Sequence, residues 1–459
     1  MKIDLGQMCV YDKAVKYVIE AECREPLHIG TGNGESKDVL IHPEENRPFV
    51  QATGIAGAFR EFYQGNEALQ VKLFGAAYKS DEETEGKTEG NEAKSRAFFT
   101  DGFFGKSAVY TEIRPRVRID RKMGTAQSVK TKGSEKQSGQ KFEMESVAAG
   151  SCFSFSIYLY EKGEDLETEM EWALKALHQG RIQLGGQKSN GCGYIKLNSV
   201  KKAVYDLYDR GDRKLWVEEN KAMDEVLSKV LSQGETGEER VCLTLSAQTE
   251  GGVLVKSIAV TEYGKDVPDA VNIRNHRREY ILPASSVKGV IRSQIEKIAD
   301  YRNCAESVTE IFGRESENGQ GGQAGKIRCF DCVIGETESN DKIQAQSRIH
   351  IDKFTGSVMY GGLFSEKVAC GKLTIPVELE GSSEREIGLI VMALRDLALG
   401  IVPVGSGSGI GRGYLKGESI TIKKGEELLA EIDCRGGRII HGASYVEQCL
   451  KVLGRNGEG

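Results

Sequence analysis

The feature that most constrains the fold is an internal duplication. The segment VRIDRKMGTA (Val117–Ala126) recurs as IHIDKFTGSV (Ile349–Val358), 232 residues later, and ATGIAGAFR (Ala52–Arg60) recurs as ASSVKGVIR (Ala284–Arg292) at the same offset. RAFFTD (Arg96–Asp101) and KIRCFD (Lys326–Asp331) lie 230 apart, and the glycine loops LGGQKSNGCGYIK (Leu184–Lys196) and VGSGSGIGRGYLK (Val404–Lys416) lie 220 apart. Four blocks in one order at nearly one spacing describe a tandem duplication. Length alone suggests two to four domains. We therefore read residues 1–205 and 240–459 as two domains. Residues 206–239 read as a charged, partly helical linker (NKAMDEVLSKVLSQ) that ends in GETGEER.

Each copy reads as a mixed α+β unit. A β-rich segment opens it (YVIEAECREPLHIG; RVCLTLSAQ), and a helix follows (AGAFREFYQ; KGVIRSQIEKI) with Thr53 and Ser285 or Ser286 as expected N-caps. Further strands are expected at RAFFTDGFF and KIRCFDCVI, then a long polar excursion, then SCFSFSIYLY or KLTIPVELE. A second helix (LETEMEWALKALHQG; EREIGLIVMALRDLALG) runs into the glycine loop, and a last strand closes the unit (GYIKLNSV; GYLKGESITI). Strand–helix–strand twice over is the ferredoxin-like pattern, here with a decorated centre.

Composition removes several function classes. The amino-terminal segment carries charge throughout and has no apolar core, so it does not read as a signal peptide. No window approaches the roughly 18 apolar residues of a membrane helix. Eleven sparse, irregular cysteines fit reduced thiols in the cytoplasm, and the one CxxC, Cys329 and Cys332, lies in an apolar stretch and reads as buried strand cysteines. The net charge of −6 argues against a nucleic-acid binder, but the charge is segregated. Residues 112–141 hold nine Lys/Arg against three acids, residues 272–292 hold five against one, and residues 80–94 carry six acids. Local field decides affinity for a phosphate backbone, so the basic segments outweigh the net value.

Glycine is over-represented, at 55 against 8 prolines, and ten of the 55 lie in or directly after the two repeated loops. Backbone amides in such loops can approach an oxyanion closely. The loops follow a helix and open a strand, the reverse of the dinucleotide fingerprint, so a nucleotide cofactor is not expected. The plainer alternative is a glycine turn packed between helix and sheet, but two loops in matching positions favour contact with phosphate.

The ordered motifs LHIGTG, PFVQATGIAGAFR, RAFFTDGFF, VRIDRKMGTA and GGQKSNGCGYIK resemble the RAMP superfamily of CRISPR-associated proteins, closest to the backbone subunit of type III effector complexes. YILPASSVKGVIR, IHIDKFTGSVMYGGLF and VGSGSGIGRGYLKG in the second copy resemble it more strongly. The resemblance covers about residues 17–200 and 240–425 and looks like two fused RAMP domains. It implies a modified RRM-like fold, a β-hairpin thumb that wedges between guide–target base pairs, and contact with guide RNA, target RNA and other effector subunits, with no membrane. The RNA-contact set it implies is Arg60, Arg118, Arg121, Lys122, Arg274, Ser285, Ser286, Lys288, Arg292, His350 and Lys353. It also takes in Gly191, Gly193, Gly409, Gly411, Arg412 and Gly413 in the glycine loops. His276 and His350 also read as ordinary polar loop residues. The first copy has Thr53-Gly54-Ile55-Ala56-Gly57 where the second keeps Ser285-Ser286-Val287-Lys288-Gly289, so it lacks the lysine.

In that family one Asp, on the loop between first strand and first helix, cuts target RNA with a divalent metal. Asp38 lies 19 residues before Gly57 and Asp269 lies 20 before Gly289, which makes them the paired candidates; Asp266 competes with Asp269. No carboxylate cluster accompanies either, so the expected Mg2+ or Mn2+ is weakly bound. The resulting expectation is a cytoplasmic endoribonuclease subunit that cuts target RNA at two sites. The alternatives are a catalytically silent guide-binding scaffold and a metal-independent guide-processing ribonuclease.

Overall fold

The computed structural model describes residues 11–30, 38–76, 94–105, 109–120, 128–130, 137–139, 141–234, 240–257, 267–314, 321–335 and 346–453. Two compact units form. The first comprises 1–111, 145–188 and 192–236, and the second comprises 112–144, 189–191 and 237–459. The units therefore do not follow the repeat boundary, because residues 112–144 and 189–191 of the first repeat belong to the second unit.

In chain order the first repeat gives β1 (Lys13–Cys23), α1 (Ala52–Phe62), β2 (Ala97–Phe99), β3 (Gly102–Phe104), β4 (Thr111–Val117), β5 (Lys141–Val147), β6 (Cys152–Glu161), α2 (Glu167–His178) and β7 (Ile195–Asp206). Strand β1 lies between β7 and β6, β2 and β3 pair the far side of β6, and every one of these pairings is antiparallel. That is the ferredoxin-like order. Alternation dictates it locally, since Val15, Tyr17, Ile19, Ala21 and Cys23 of β1 are buried while Glu20 is exposed. Helix α2 places Met170, Ala173, Leu174 and Leu177 at helical spacing against that face.

The segment expected to link the repeats is folded onto the first unit. Helix α3 (Arg210–Glu218) and helix α4 (Leu227–Ser232) follow β7, and residues 224–225 add an edge strand to the sheet. Val230 is fully buried in the core, and the Lys175 ammonium donates to the Gln233 and Gly234 carbonyls. On the outer sheet face, Leu215 and Trp216 cover Ala14, Ala203 and Tyr205. Trp216 meets the rings of Tyr158, Tyr160 and Tyr205 at 5.7, 5.8 and 4.9 Å. This burial of apolar surface is what a free linker would lack.

The second repeat continues with β8 (Val241–Glu250), α5 (Ala284–Arg302), β9 (Ile327–Cys329), β10 (Gln346–Ile351), β11 (Val358–Lys367), β12 (Lys372–Leu379), α6 (Glu384–Ala398) and β13 (Tyr414–Lys424). Its sheet runs β9-β12-β8-β13, the same order as the first. A bulge interrupts β1–β7 at Glu20/Ala21 and β8–β13 at Ser246/Ala247, so even the ladder irregularity is duplicated. Beyond β13 the sheet extends through β14 (Glu427–Asp433) and β15 (Arg438–His441), and α7 (Ala443–Lys451) packs on α6. Cys329 and Cys332 are both buried on short strands, and burial pushes the Cys329 thiol up to about 12. The cysteines of the described residues are all free.

Trp216→Ala removes a half-buried ring from three aromatic contacts. It should cost the first unit about 2 kcal/mol. Thermal unfolding followed by circular dichroism checks this, and an unchanged melting temperature would mean that α3 adds nothing to the unit.

Candidate nucleic-acid interface

The two first helices start in the same way, and not as expected. Thr53, Ser285 and Ser286 lie inside the first helical turn; the N-cap positions are Gln51 and Pro283, and neither side chain caps. The orphan amide is satisfied from the neighbouring strand segment instead. Asp101 accepts from the Ala52 N–H at 2.6 Å, and Asp331 accepts from the Ala284 N–H at 2.9 Å. These are the last residues of the paired blocks RAFFTD and KIRCFD. Their recurrence was the available signal, and a carboxylate capping a helix some 47–49 residues away could not be read from local spacing.

Around the start of α5, positive charge accumulates. Burial pushes the Lys288 amine below its usual value, and Arg292 and Arg116 push it the same way against the Cys329 thiol. Its ammonium donates to Ser189 Oγ at 2.7 Å, while Arg292 pairs with Glu296 at 3.0 Å. A desolvated cation beside two guanidinium groups gains from an arriving anion. Arg274 stacks on Tyr280 with its guanidinium carbon 4.3 Å from the ring centre, and Arg60 is half-buried at the end of α1. Ser285 and Ser286 are half-buried on the first turn of α5.

The glycine loops are held chiefly by their own protein. Gly193 N–H donates to the Pro26 carbonyl at 2.9 Å and Gly413 N–H to the Gly252 carbonyl at 2.8 Å, while Leu184 N–H and Val404 N–H return to the Gly193 and Gly413 carbonyls. Gly193 and Gly413 have φ of 82° and 80°, and a Cβ on either would sit 2.0 Å from the Leu184 or Val404 oxygen. Gly191 is buried as well, whereas Gly409 and Gly411 are exposed around the turn Ser408–Ile410. Arg412 is buried: its guanidinium donates to Glu366 at 2.6 Å and to Gln346 at 3.0 Å. It ties the glycine loop to the hairpin β10–β11 and does not face solvent. The plainer reading of the loops thus accounts for Gly191, Gly193, Arg412 and Gly413, and leaves Gly409 and Gly411 on the surface.

That hairpin projects apolar surface into solvent. Ile349, Ile351, Val358, Met359 and Leu363 are exposed, and Phe354 is 99% exposed at the turn. His350 and Lys353 are exposed beside them, and the Asp352 carboxylate organises the turn by accepting from the Phe354 and Thr355 amides at 2.9 and 2.7 Å. In the first repeat, β4–β5 is the matching hairpin, with Ile113, Val117, Arg118 and Ile119 exposed; Arg121 and Lys122 lie outside the described residues.

Within the second unit the root of β4 is fixed by a charged network. Arg114 is half-buried between Glu112 and Asp331, and Glu112 accepts from the His276 main-chain N–H at 2.8 Å and meets its Nδ1 at 3.0 Å. Burial alone would raise the Glu112 carboxyl; the Arg114 charge and hydrogen bonds, with those of His276, hold it below the usual range. Glu366, likewise penalised by burial, is held low by Arg412 and Lys256. His276 therefore has a structural partner here.

The Asp-bearing loops also join the hairpins. Asp269 is exposed; its N–H donates to the Ser365 carbonyl at 2.8 Å and its Oδ2 accepts the Ser365 N–H at 2.6 Å. Asp38 is exposed, and its neighbour Val39 donates its N–H to Glu145 Oε2 at 3.1 Å. Asp266 lies outside the described residues. Matched bridges align the loops: Gly30–Val39 corresponds to Lys256–Asn272, and Ile41–Pro48 to Arg274–Tyr280. Asp38 thus precedes its bridge by one residue and Asp269 by three. The near-equal counts to Gly57 and Gly289 hid this two-residue difference, because the loops between bridge and helix vary.

The family model of the RAMP superfamily matches residues 20–196 and 264–416, one stretch in each repeat and well over half the chain. The chain belongs to the RAMP superfamily. No curated protein matches it. Membership puts this RAMP protein among CRISPR-associated RNA-binding subunits that assemble with RNA and other subunits. No helix among its described residues is long and apolar enough to cross a membrane. The matched stretches include Asp101, both glycine loops and the network partners Glu112, Arg114 and Asp331, whose half-buried ion pairs stand at the start of the second repeat's first helix.

Asp331→Ala should cost more than Asp101→Ala. The first leaves the half-buried Arg114 without one of its carboxylates, about 3 kcal/mol, while the second loses a helix cap, about 1 kcal/mol. Denaturant titrations of both variants measure the difference. Glu112 and Glu366 have depressed carboxyls in the folded state, so their contribution is complete above the ordinary glutamate value of 4.5 and is lost as pH falls through the folded values. Stability of the second unit should therefore drop below about pH 4.5, and Glu112→Gln should flatten that drop in pH-dependent melts.

Proposed function

We propose that this RAMP chain is a backbone subunit of a type III effector ribonucleoprotein, that it holds guide RNA, and that it cuts paired target RNA at two sites with Asp38 and Asp269. The observation that carries the reading is the repeated coupling of an Asp-bearing loop to the root of a solvent-exposed hairpin: Asp269 to Ser365, and Val39 next to Asp38 to Glu145. An apolar hairpin that wedges into a guide–target duplex would bring a distorted phosphodiester next to the loop tied to its root. The cations at Lys288, Arg292 and Arg274, the exposed Arg118, His350 and Lys353, and the exposed Gly409 and Gly411 are the proposed RNA contacts.

A divalent cation fits the donor set only as a loosely held, RNA-recruited ion. Among the described residues each loop offers one exposed aspartate, Asp38 or Asp269, and Mg2+ or Mn2+ commonly keeps several waters and takes the rest of its ligands from substrate phosphate. Such an ion would supply charge stabilisation at the scissile phosphate. The chain's own task is to hold the carboxylate at the hairpin root and the guide backbone on the basic surface. A scaffold reading has one observation in its favour at the second site, where the Asp269 carboxylate already serves as a structural acceptor.

Asp38→Ala and Asp269→Ala, each assembled with guide RNA and Mg2+, should each abolish one of two target cuts. Persistence of both cuts removes these residues from the chemistry, and a wild-type complex that never cuts establishes the scaffold. Guide-RNA binding should fall by at least about tenfold between roughly 50 and 200 mM salt despite the acidic net charge, measured by filter binding. A flat response would exclude backbone contact as the main source of affinity.

A further inference from the structure

The two Asp loops are anchored to their hairpins by different groups. In the second unit the anchor is Asp269 itself, whose carboxylate accepts the Ser365 main-chain N–H and whose own N–H returns to the Ser365 carbonyl. In the first unit the hairpin supplies the carboxylate. Glu145, on β5, accepts the Val39 N–H through Oε2 at 3.1 Å. Its main-chain oxygen is held by His28 Nδ1 at 2.7 Å, with His28 buried beneath the glycine loop and its own carbonyl taken by the Gly186 N–H at 2.9 Å. Two residues along β5, Val147 and Leu27 exchange both main-chain hydrogen bonds at 2.8 and 2.9 Å. Glu145 is thus held through its main chain, and among the described residues its carboxylate accepts from the residue following Asp38. The second copy has Leu254 where the first has His28, since Ser406 N–H reaches the Leu254 carbonyl as Gly186 N–H reaches that of His28.

We infer that Glu145 is a positioning residue for Asp38: it sets where the first loop's carboxylate stands against the hairpin root, a task that Asp269 performs for itself in the second unit. This rests on the reading of Asp38 as the cutting residue of the first site. A carboxylate accepting a main-chain amide holds the peptide that joins Asp38 to Val39, and misplacement by about 1 Å can cost around a hundredfold in rate. Glutamine keeps an acceptor oxygen at nearly the same place, whereas alanine does not. The two sites therefore report on each other: changing Glu145 acts on one of them, and the other serves as the internal control for folding, assembly and RNA binding.

The test measures single-turnover rates of both cuts and target-RNA affinity for Glu145→Ala, Glu145→Gln and Asp38→Ala in the complete guide-loaded complex. Expected for Glu145→Ala is a first cut slowed at least about tenfold, with the second cut and target affinity at wild-type values. Glu145→Gln should recover the first cut to within about threefold of wild type. A Glu145→Ala complex that makes both cuts at the wild-type rate overturns the inference, and so does an equal loss in the alanine and glutamine variants. If both cuts fall together, Glu145 is a folding residue and the inference is again lost. Asp38→Ala separates the layers: a first cut that survives it refutes the cutting role of Asp38, whatever Glu145 does. Hydrogen exchange of the segment containing Val39 gives a readout without catalysis, with faster exchange expected in Glu145→Ala than in Glu145→Gln.

Discussion

Everything placed at the proposed interface hangs on the main-chain contacts made just after the first strand of each repeat. Gly193 reaches the Pro26 carbonyl and Gly413 reaches that of Gly252, and one residue further on Leu27 and Val253 bridge to Val147 and Ala369 at the foot of a hairpin. A short stretch of extended chain therefore receives the glycine loop on one side and the hairpin on the other. Both contacts need close backbone approach, and at Gly193 and Gly413 no other residue fits a left-handed φ with an oxygen 2.0 Å from the would-be Cβ. The glycine surplus of the sequence is in part the price of this junction.

Much of the architecture was legible because the strands and helices are written in strong periodicity. The alternation in KAVKYVIEAEC and the helical spacing in ETEMEWALKALH specify a buried face each, and duplication doubled the signal. The packing of residues 206–234 was not legible. A charged, partly helical segment reads as a linker, yet Trp216 and Val230 find aromatic and aliphatic partners from the rest of the first unit. Long-range partners also explain the helix starts. Serine and threonine at the first turn looked like caps by local rules, but an aspartate from another strand reaches the amide first.

For the site, residue type was a better guide than residue role. Arg412 was singled out as a cation in a glycine loop, and burial turns that same charge toward Glu366 and Gln346. Counting back from a helix puts Asp38 and Asp269 one residue out of register, whereas the strand bridges put them two residues out. Glu112 and Glu145 are single acidic residues in a mixed-charge segment, which has no pattern of its own. Their importance lies in which amide or guanidinium they meet.

The compact units interleave along the chain, with residues 112–144 and 189–191 assigned to the unit that is otherwise built from 237–459. During synthesis Glu112 and Arg114 emerge well before His276 and Asp331, to which they are joined in the folded chain. A gene cut at the repeat boundary would strand those two charges on one product and their counterparts on the other. The duplication is therefore not divisible at the repeat boundary, because the unit built mainly from the second repeat also includes the first hairpin's root.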